Sequence, residues 1–326
     1  MEICRIRRRS RTSIQERKRK TKKEMRVYNG ETFADAYELA LNDILHNPQH
    51  ISSPRGMKIF EVSDAALVIE DPTYCLYENS RRSSQFKYIA AELVWYFTGR
   101  NDADFITPYA KFWDQIKNKD GSVNSAYGNL IFTENLKDGR NQYRWALDSL
   151  IQDKDSRQAI IHFNKPTHQW NGNKDFVCTL NGIFQIRDNK LNFTLDMRSN
   201  DLILGTPTDV AFFCLLQIQM LEHLRKYYPE LELGTYTHIA HSLHLYERHF
   251  NLVGEMLQKS FNPQSFPDMT EFLIDPNGKA LDGLNQLEEE MLQMNDLVFK
   301  GNASYTVDKH DDLLHQWISD AIFGNI

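Results

Sequence analysis

Cysteine is scarce in this sequence: the 326 residues include only four, and no two of them are spaced as a CxxC pair. That scarcity excludes a disulfide framework and a zinc site built on paired cysteines, and it is typical of a reducing cytoplasm. Apolar runs approaching the ~20 residues of a membrane span are absent as well. The apolar stretch of a signal peptide does not follow the basic N-terminus. The sequence therefore predicts a cytoplasmic protein without a membrane partner.

Two further absences narrow the chemistry and the fold. A glycine-rich phosphate loop is missing, so nucleoside triphosphate and dinucleotide chemistry find no support in the sequence. Internal repeats and a regular βαβ alternation are missing too, and strand and helix patterns follow one another in mixed order. That order predicts an α+β fold with a mixed sheet.

Charge is distributed unevenly along the chain. Residues 1–27 contain 12 Lys and Arg against 3 Asp and Glu, so the remainder holds 26 basic and 41 acidic side chains. A body this acidic argues against general binding of nucleic acid. We divide the chain into a basic arm, 1–26, expected to be disordered or to precede a working start at Met25, and one domain, 27–326. An RNA-binding regulator that acts through the arm is the non-enzyme alternative.

Apolar periodicity predicts the main elements of that domain. The segment ETFADAYELALNDILHNP has helical spacing and stops at Pro48. FKYIAAELVWYFTG and TDVAFFCLLQIQMLEHL predict buried helices, and ELGTYTHIAHSLHLYERHF predicts a strand that runs into a helix. FQIRDNKLNFTLDMRS alternates as a hairpin does. From about residue 262 the signal weakens, apart from a helix predicted at LEEEMLQMNDLVF.

The hairpin carries the first candidate for chemistry. A two-residue turn at Asp188 and Asn189 would set Cys178 opposite Ser199 and beside Arg198. A cysteine close to an arginine is expected to have a lowered pKa and to serve as a nucleophile. The alternative is an inert buried thiol, and a slip of one residue would place Cys178 on the other face.

An acid and a group of histidines are the other candidates. Glu92 lies within an apolar helix, where burial should raise its pKa and make it a proton carrier; a buried salt bridge with an arginine is the alternative. His244 and Tyr246 share one face of a strand, where both side chains can reach a ligand hydroxyl. His238, His241 and His244 invite a metal interpretation, but His241 points away from the other two in an extended segment, so we expect no metal.

Together, these residues resemble the thymidylate synthase family. DFVCT, RSNDLILGTPTDVAF and HSLHLY follow the family's order over roughly residues 28–252, as do AELVWYFTG, FWD, SAYGN and DSRQAI. Within that family, the chain resembles the deoxycytidylate hydroxymethylases of phages, because Thr179 follows the cysteine where thymidylate synthases usually have histidine. The resemblance implies a large mixed sheet packed with helices and a homodimer joined through the sheet face.

The resemblance also implies roles for single residues. It makes Cys178 the nucleophile that adds to pyrimidine C6, Glu92 the organiser of water and protons, and Tyr127 a neighbour of the C5 proton. It implies 5,10-methylenetetrahydrofolate as co-substrate, beside Trp113 and Asp201. The implied ligands of a pyrimidine nucleoside monophosphate are Arg55, Arg198, Ser199, Arg157 from the other subunit, His244 and Tyr246. Gln158 departs from the family, which has a second arginine there.

Asp209 distinguishes the candidate substrates. The family's thymidylate synthases have asparagine at this position, which suits uracil, whereas a carboxylate accepts from the cytosine amino group and, if protonated, donates to N3. A helix cap at the head of TDVAFF is the alternative.

The predicted activity is hydroxymethylation of dCMP with methylenetetrahydrofolate and water. A methyltransferase acting on dUMP or dCMP, and a CMP hydroxymethylase, remain alternatives.

Overall fold

A large mixed β-sheet runs through the protein. The computed structural model describes residues 24–300 and 309–324. The sheet is built around two long strands, β3 (Ile59–Ile69) and β9 (Glu232–Tyr246), which pair antiparallel along most of their length. Its other strands are β1 (Arg26–Gly30), β2 (His50–Ser52), β5 (Ile160–His162), β6 (Thr179–Arg187), β7 (Lys190–Met197) and β8 (Asn200–Asp201).

The strand order explains why no βαβ alternation is visible in the sequence. The sheet has the order β1-β3-β9-β7-β6-β5, with β2 beside β3 and β8 beside β9. Pairs β1–β3, β7–β9 and β8–β9 are parallel, and the others are antiparallel. A separate two-stranded sheet joins β4 (Leu76–Glu78) to β10 (Asn262–Gln264). The predicted α+β class is confirmed.

Helices cover the sheet, and those at 33–46, 86–97, 206–225 and 282–300 lie in segments where apolar periodicity predicts them, whereas those at 103–106, 112–116, 142–152 and 313–323 were not predicted. They are α1 (Phe33–His46), α2 (Phe86–Phe97), α3 (Ala103–Ile106), α4 (Phe112–Ile116), α5 (Gln142–Gln152), α6 (Thr206–Arg225), α7 (Phe250–Met256), α8 (Asp282–Lys300) and α9 (Leu313–Phe323). Helix α1 begins at a capping box between Thr32 and Asp35 and ends one residue before Asn47. The two helices predicted to be buried, α2 and α6, are buried along most of their length.

Helix α6 is fixed to the sheet by a polar side chain as well as by apolar packing. Gln217 lies in the middle of α6 and is fully buried. Its amide group donates to Leu191 O at 2.9 Å and to Gly234 O at 3.2 Å, so one side chain ties α6 to β7 and β9. A buried amide needs such partners. These two hydrogen bonds therefore fix the position of α6 relative to β7 and β9.

The C-terminal part of the chain packs back on α2. Helix α9 lies against α2, and its N-terminal cap Asp312 also accepts from Thr270 N at 2.8 Å and Glu271 N at 3.0 Å. The predicted helix at LEEEMLQMNDLVF falls within α8. The segment after residue 262 thus contributes two helices to the body of the protein.

The proposed boundary of the basic arm differs slightly from the structure. Arg26 is the first residue of β1, and its guanidinium contacts the Asp43 carboxylate at 2.6 Å. The rest of the arm, residues 1–23, lies outside the described residues, and the prediction made for it stays a prediction. Among the helices of the described chain, none is long and apolar enough to cross a membrane.

Candidate active site

The β6–β7 hairpin brings Cys178 and Arg198 together. Asp188 and Asn189 both have positive φ angles, 50° and 58°, as a two-residue type I′ turn requires, and Arg187 pairs with Lys190 as predicted. A bulge between Thr179 and Asn181 then shifts the register by one residue. Arg198 N therefore bonds to Cys178 O at 2.9 Å. The predicted pairing of Cys178 with Ser199 is wrong by this single residue.

The Arg198 guanidinium is anchored beside the thiol. Its Nε donates to Val177 O at 3.1 Å, and Nη2 donates to Phe176 O and to Cys178 Sγ, 3.3 Å away. The guanidinium carbon also lies 4.9 Å from the centre of the Phe176 ring. These contacts fix a positive charge at the sulfur atom.

The net effect on the thiol is the opposite of the sequence-based prediction. Burial raises the pKa of Cys178, and the carboxylates of Asp209 and Asp175 raise it further. Arg198 and, more weakly, Arg55 lower this pKa, but they do not overcome the loss of hydration. The predicted lowering of the Cys178 pKa is therefore wrong for the ligand-free protein, because the sequence does not disclose how deeply the sulfur lies among other atoms.

Asp209 lies in the first turn of α6 and does not cap it. The N-cap residue is Gly205, and it makes no side-chain cap bond. Instead, Asp209 Oδ2 accepts a hydrogen bond from Asn200 Nδ2 at 2.7 Å. Burial raises the pKa of Asp209 to about 7, although the Asn200 bond lowers it. The helix-cap interpretation is wrong, and Asp209 is an acid that titrates near neutral pH.

Glu92 projects from the middle of α2 toward the same place. Its side chain is 5% exposed, and burial raises its pKa to about 8, with a further contribution from Asp209. Glu92 Oε1 accepts from the hydroxyl of Tyr88 at 2.5 Å and from that of Tyr96 at 3.3 Å. The predicted rise in pKa is confirmed, and in the described chain the partners of Glu92 are these tyrosines rather than an arginine.

Tyr127 packs on Tyr96, one of the hydrogen-bond partners of Glu92. Its ring stacks on Tyr96, with the centroids 5.4 Å apart. The next residue, Gly128, lies against the backbone of α2, where an added Cβ would sit 1.7 Å from Tyr96 O. Only glycine fits there. Burial raises the pKa of Tyr127 well above its usual value, and the negative charges of Asp209 and Cys178 raise it further.

The end of β9 supplies His244 and Tyr246. Their rings pack edge to face with centroids 5.2 Å apart, which confirms that they share one side of the strand. Asp201, in β8, pairs with His244. His241 lies on the other face, between Asp64 at 2.8 Å and Asp196 at 3.2 Å.

The two other predicted arginines, Arg55 and Arg157, differ in their relation to Cys178. Arg55 is exposed on a short 3-10 turn, Pro54–Gly56, with a left-handed φ of 54°, and its charge reaches Cys178. Ser199 directly follows Arg198. Arg157 is exposed on the loop between α5 and β5, and none of the ion pairs found in the described chain includes it. Contacts and charges within the protomer connect Cys178, Arg198, Arg55, Asp209, Tyr127 and Glu92, and His244 adjoins Tyr246 and Asp201; that all of these residues form one site with Ser199 and Arg157 stays a prediction.

Tyr88 connects the acid both to Trp113 and to a cleft. The indole Nε1 of Trp113 donates to the Tyr88 hydroxyl at 2.9 Å, and that hydroxyl in turn donates to Glu92. Tyr88 also lines a cleft of about 640 Å³ whose other walls include Phe86, Tyr109 and, from α8, Asn295. Aromatic walls with a few polar groups suit a flat heteroaromatic ligand.

Several residues of the site escaped the sequence analysis. Tyr88 and Tyr96 lie four residues before and after Glu92, and helical spacing alone would have placed them beside it. Asp175 binds Ser125 N at 2.8 Å and thereby holds the loop before Cys178 to the loop before Tyr127. Asn200 was visible in the RSND motif, but nothing in the sequence indicated its contact with Asp209.

The arrangement can support nucleophilic catalysis by the thiol together with acid–base catalysis by the carboxyl groups. A thiol lies against a fixed guanidinium, and two carboxyl groups with pKa values near neutrality interact electrostatically with each other, so a proton can be held or released there at physiological pH. Among the described residues, no group of three or more His, Cys, Asp or Glu side chains is arranged to hold a metal ion.

Comparison with known proteins agrees with this chemistry. The family model described as "Thymidylate synthase" matches residues 35–301, which extends the resemblance well past residue 252. The deoxycytidylate 5-hydroxymethyltransferases of Enterobacteria phages T6 and T4 are each 32% identical, with 66% of this chain and 87% of the relative covered. The deoxyuridylate hydroxymethyltransferase of Bacillus phage SP01 is 27% identical, over 79% of this chain and 71% of the relative.

A solved structure supports the fold independently. Thermostable thymidylate synthase A from Bacillus subtilis matches with a TM-score of 0.58 at 21% identity, covering 75% of this chain and 89% of that chain. The fold, the thiol beside its arginine and the extent of the family match lead to one conclusion. This chain is a one-carbon transferase that belongs to the thymidylate synthase family.

Proposed function

We propose that this enzyme hydroxymethylates deoxycytidylate at C5, converting dCMP, 5,10-methylenetetrahydrofolate and water into 5-hydroxymethyl-dCMP and tetrahydrofolate. The observation that carries the proposal is Asp209, a half-buried carboxyl group with a pKa of about 7 where uracil-specific members of the family are expected to have asparagine. Deoxycytidylate hydroxymethyltransferases among the relatives support the same product.

Cys178 begins the reaction on the nucleotide. Its sulfur forms a bond to C6 of the base, and the electron pair of the C5–C6 double bond moves to C5, which becomes nucleophilic. Arg198 stabilises the thiolate, because its Nη2 lies 3.3 Å from the sulfur. When bound, the folate supplies a one-carbon unit at the oxidation level of formaldehyde. The C5 hydrogen leaves as a proton near Tyr127, and the thiolate departs at the end of the cycle.

Glu92 directs water to the new exocyclic carbon. Its Oε1 is held by two tyrosine hydroxyls, so the other oxygen remains to take a proton from the attacking water. With a pKa of about 8, Glu92 can exist in both its protonated and its ionised form near neutral pH. Hydroxymethylation requires that water be admitted, whereas methylation requires hydride from the folate.

Separate groups of residues bind the phosphate, the sugar and the base of the nucleotide. Arg55, Arg198 and Ser199 bind the phosphate, and His244 and Tyr246 bind the sugar hydroxyl. Asp209 accepts from the cytosine amino group and shares a proton with N3. Arg157 is exposed on its own protomer, so we assign it to the phosphate of the neighbouring subunit in a homodimer. Gln158, where a second arginine is expected, weakens this contribution.

The residues around Tyr88 fit a folate. Trp113 is 7% exposed, lies next to Tyr88 and offers an aromatic face for a pteridine ring, and we assign Asp201 to the folate from the family resemblance. The cleft that Tyr88 lines has room for the rest of the molecule, and Lys87 at its margin can pair with a carboxylate. These residues would hold the co-substrate beside Glu92.

A deoxyuridylate hydroxymethyltransferase is the second candidate. The Bacillus phage relative has that name and covers more of this chain than the deoxycytidylate relatives do. A methyltransferase and a CMP hydroxymethylase are separate alternatives. The test is to incubate the protein and methylenetetrahydrofolate with dCMP, dUMP or CMP and to identify products by mass, while dihydrofolate is followed by absorbance. A hydroxymethyl product from dCMP without dihydrofolate is expected; turnover of dUMP alone would overturn the proposal.

A further inference from the structure

A chain of buried side chains lies behind Asp209 and does not reach the cleft. Asn200 Nδ2 donates to Asp209 Oδ2, and Asn200 Oδ1 faces His238 Nε2 at 3.2 Å and the Thr206 hydroxyl. His238 Nδ1 lies 2.9 Å from the Tyr236 hydroxyl. Asn200 is 4% exposed, and Thr206, His238 and Tyr236 are fully buried. Four side chains from β8, β9 and α6 thus form one network, none of which our mechanism uses.

The direction of each hydrogen bond in this network follows from the groups present. Burial lowers the pKa of His238 to about 3, so its ring is neutral and carries a single N–H. The amide oxygen of Asn200 needs donors, so that proton is on Nε2, and Nδ1 accepts from the Tyr236 hydroxyl. With His238 and Thr206 both donating to Oδ1, the amide nitrogen must point at Asp209. An NH₂ group only donates, and it therefore requires Oδ2 of Asp209 to accept.

We propose that Asn200, held in this orientation by His238 and Thr206, is a positioning residue that reserves Oδ2 of Asp209 as an acceptor and assigns the titrating proton to Oδ1. This inference rests on the proposed recognition of cytosine by Asp209. Cytosine offers an amino donor and the N3 acceptor, and a carboxyl group with one accepting and one protonated oxygen matches that edge. Uracil offers the reverse pattern, so a fixed proton position rejects it.

The network also sets the pH range over which Asp209 is complementary to cytosine. Asn200 lowers the pKa of Asp209, and burial raises it. Once Asp209 loses its proton, it can no longer donate to N3, so use of dCMP should decline above the Asp209 pKa whereas use of dUMP should not. The titratable groups that interact electrostatically with Asp209 are Glu92, Tyr88, Tyr96, Tyr127, Tyr236 and Cys178.

The test compares Asn200→Ala with Asn192→Ala. Asn192 accepts from Thr235 N at 3.0 Å between β7 and β9, so it is a half-buried strand asparagine that has no contact with Asp209 among those found in the described residues. In Asn200→Ala the proton can occupy either oxygen, and we expect the dCMP/dUMP ratio of kcat/KM to fall about tenfold. The midpoint of the alkaline decline for dCMP should rise by about one pH unit, because a donor to the carboxylate has been lost. Asn192→Ala should change neither quantity.

A second variant keeps the inference testable if Asn200→Ala does not fold. Tyr236→Phe removes the hydroxyl that fixes the His238 tautomer, and it should lower the same ratio although it touches nothing in the cleft. Unchanged ratios and midpoints in the folded variants would overturn the role of Asn200. A wild type that does not prefer dCMP would instead overturn the proposed function. In that case, NMR titration of ¹³C-labelled Asp209 without nucleotide still decides whether Asn200→Ala raises the pKa of Asp209. An unshifted pKa would overturn the positioning role of Asn200.

Discussion

Tyr88 and Glu92 lie one helical turn apart on α2, and the Tyr88 hydroxyl donates to Glu92 Oε1 at 2.5 Å. The same hydroxyl accepts from Trp113 Nε1 at 2.9 Å. A single oxygen atom therefore connects the buried acid to the indole of Trp113. Loss of the hydrogen bond from Tyr88 would change the environment of Glu92, and hence its readiness to take a proton.

Glu92→Gln should make the protein more stable at alkaline pH. The pKa of Glu92 is about 8 in the fold and near 4.5 in an unfolded chain, so between these values the folded state holds a proton that the unfolded state has released. Wild-type stability therefore falls as pH rises from about 4.5 to 8, and glutamine avoids that loss. We expect the variant to melt roughly 5 °C higher than wild type at pH 9 and only slightly higher at pH 5.5.

Thermal unfolding across pH is the measurement, and exposed Glu78→Gln is the matched control. That control should follow the wild type at every pH. A constant difference between Glu92→Gln and the wild type would show that Glu92 is ionised throughout.

Cys178→Ala should abolish turnover and leave nucleotide binding nearly intact. The sulfur forms the only covalent bond that we propose between enzyme and base, whereas Arg198 remains anchored by Phe176 O and Val177 O without it. Wild-type enzyme should exchange the C5 hydrogen of its nucleotide with solvent, and the variant should not. Cys214→Ala, at a buried thiol on α6, is the control and should keep both activities. Turnover by Cys178→Ala would exclude covalent catalysis.

Mixing two inactive variants should restore activity if Arg157 acts across a dimer. Arg157→Ala lacks the arginine that we assign to the neighbouring subunit, and Cys178→Ala lacks the nucleophile. A hybrid dimer contains one site with both groups present, so the mixture should recover up to about a quarter of wild-type activity. Activity after mixing and mass by light scattering are the measurements. A fully active monomer would contradict the assignment.

Asp209→Asn should reverse the preference between dCMP and dUMP. The new amide can accept from Asn200 through its oxygen, which turns its NH₂ group toward the cleft, where uracil O4 accepts and the cytosine amino group clashes. We expect kcat/KM to change roughly ten- to a hundredfold for each nucleotide, in opposite directions. The ratio for the two substrates in both proteins is the measurement. An unchanged ratio would remove Asp209 from base recognition.

Sequence reasoning reached the parts of the site that depend on local pattern. The Asp188–Asn189 turn and the raised pKa of Glu92 follow from turn chemistry and from an acid within an apolar helix. The bulge beyond Thr179 did not follow, because one extra residue in a strand is set by packing on both faces. The pKa of Cys178 was predicted in the wrong direction because a neighbouring charge is visible in a motif, whereas depth of burial is not.

The contact between Asn200 and His238 was inaccessible for a different reason. These residues are 38 positions apart; Asn200 lies in β8 opposite Leu243, and His238 lies farther back in β9 opposite Leu195 of β7, with both pairings parallel. A parallel pairing leaves no turn signal between its two strands, so its register cannot be read from the chain. Knowledge of the fold is needed before such a pair can be recognised.

The bulge in the β6–β7 hairpin has an evolutionary consequence. Because it sets the alignment of Cys178 with Arg198, a residue gained or lost in only one strand between the bulge and the hairpin tip would separate sulfur from guanidinium. A matched gain in both strands would merely lengthen the tip. Descendants of this protein should therefore vary the hairpin in coupled steps, and a lone insertion there would identify a lineage that has abandoned the reaction.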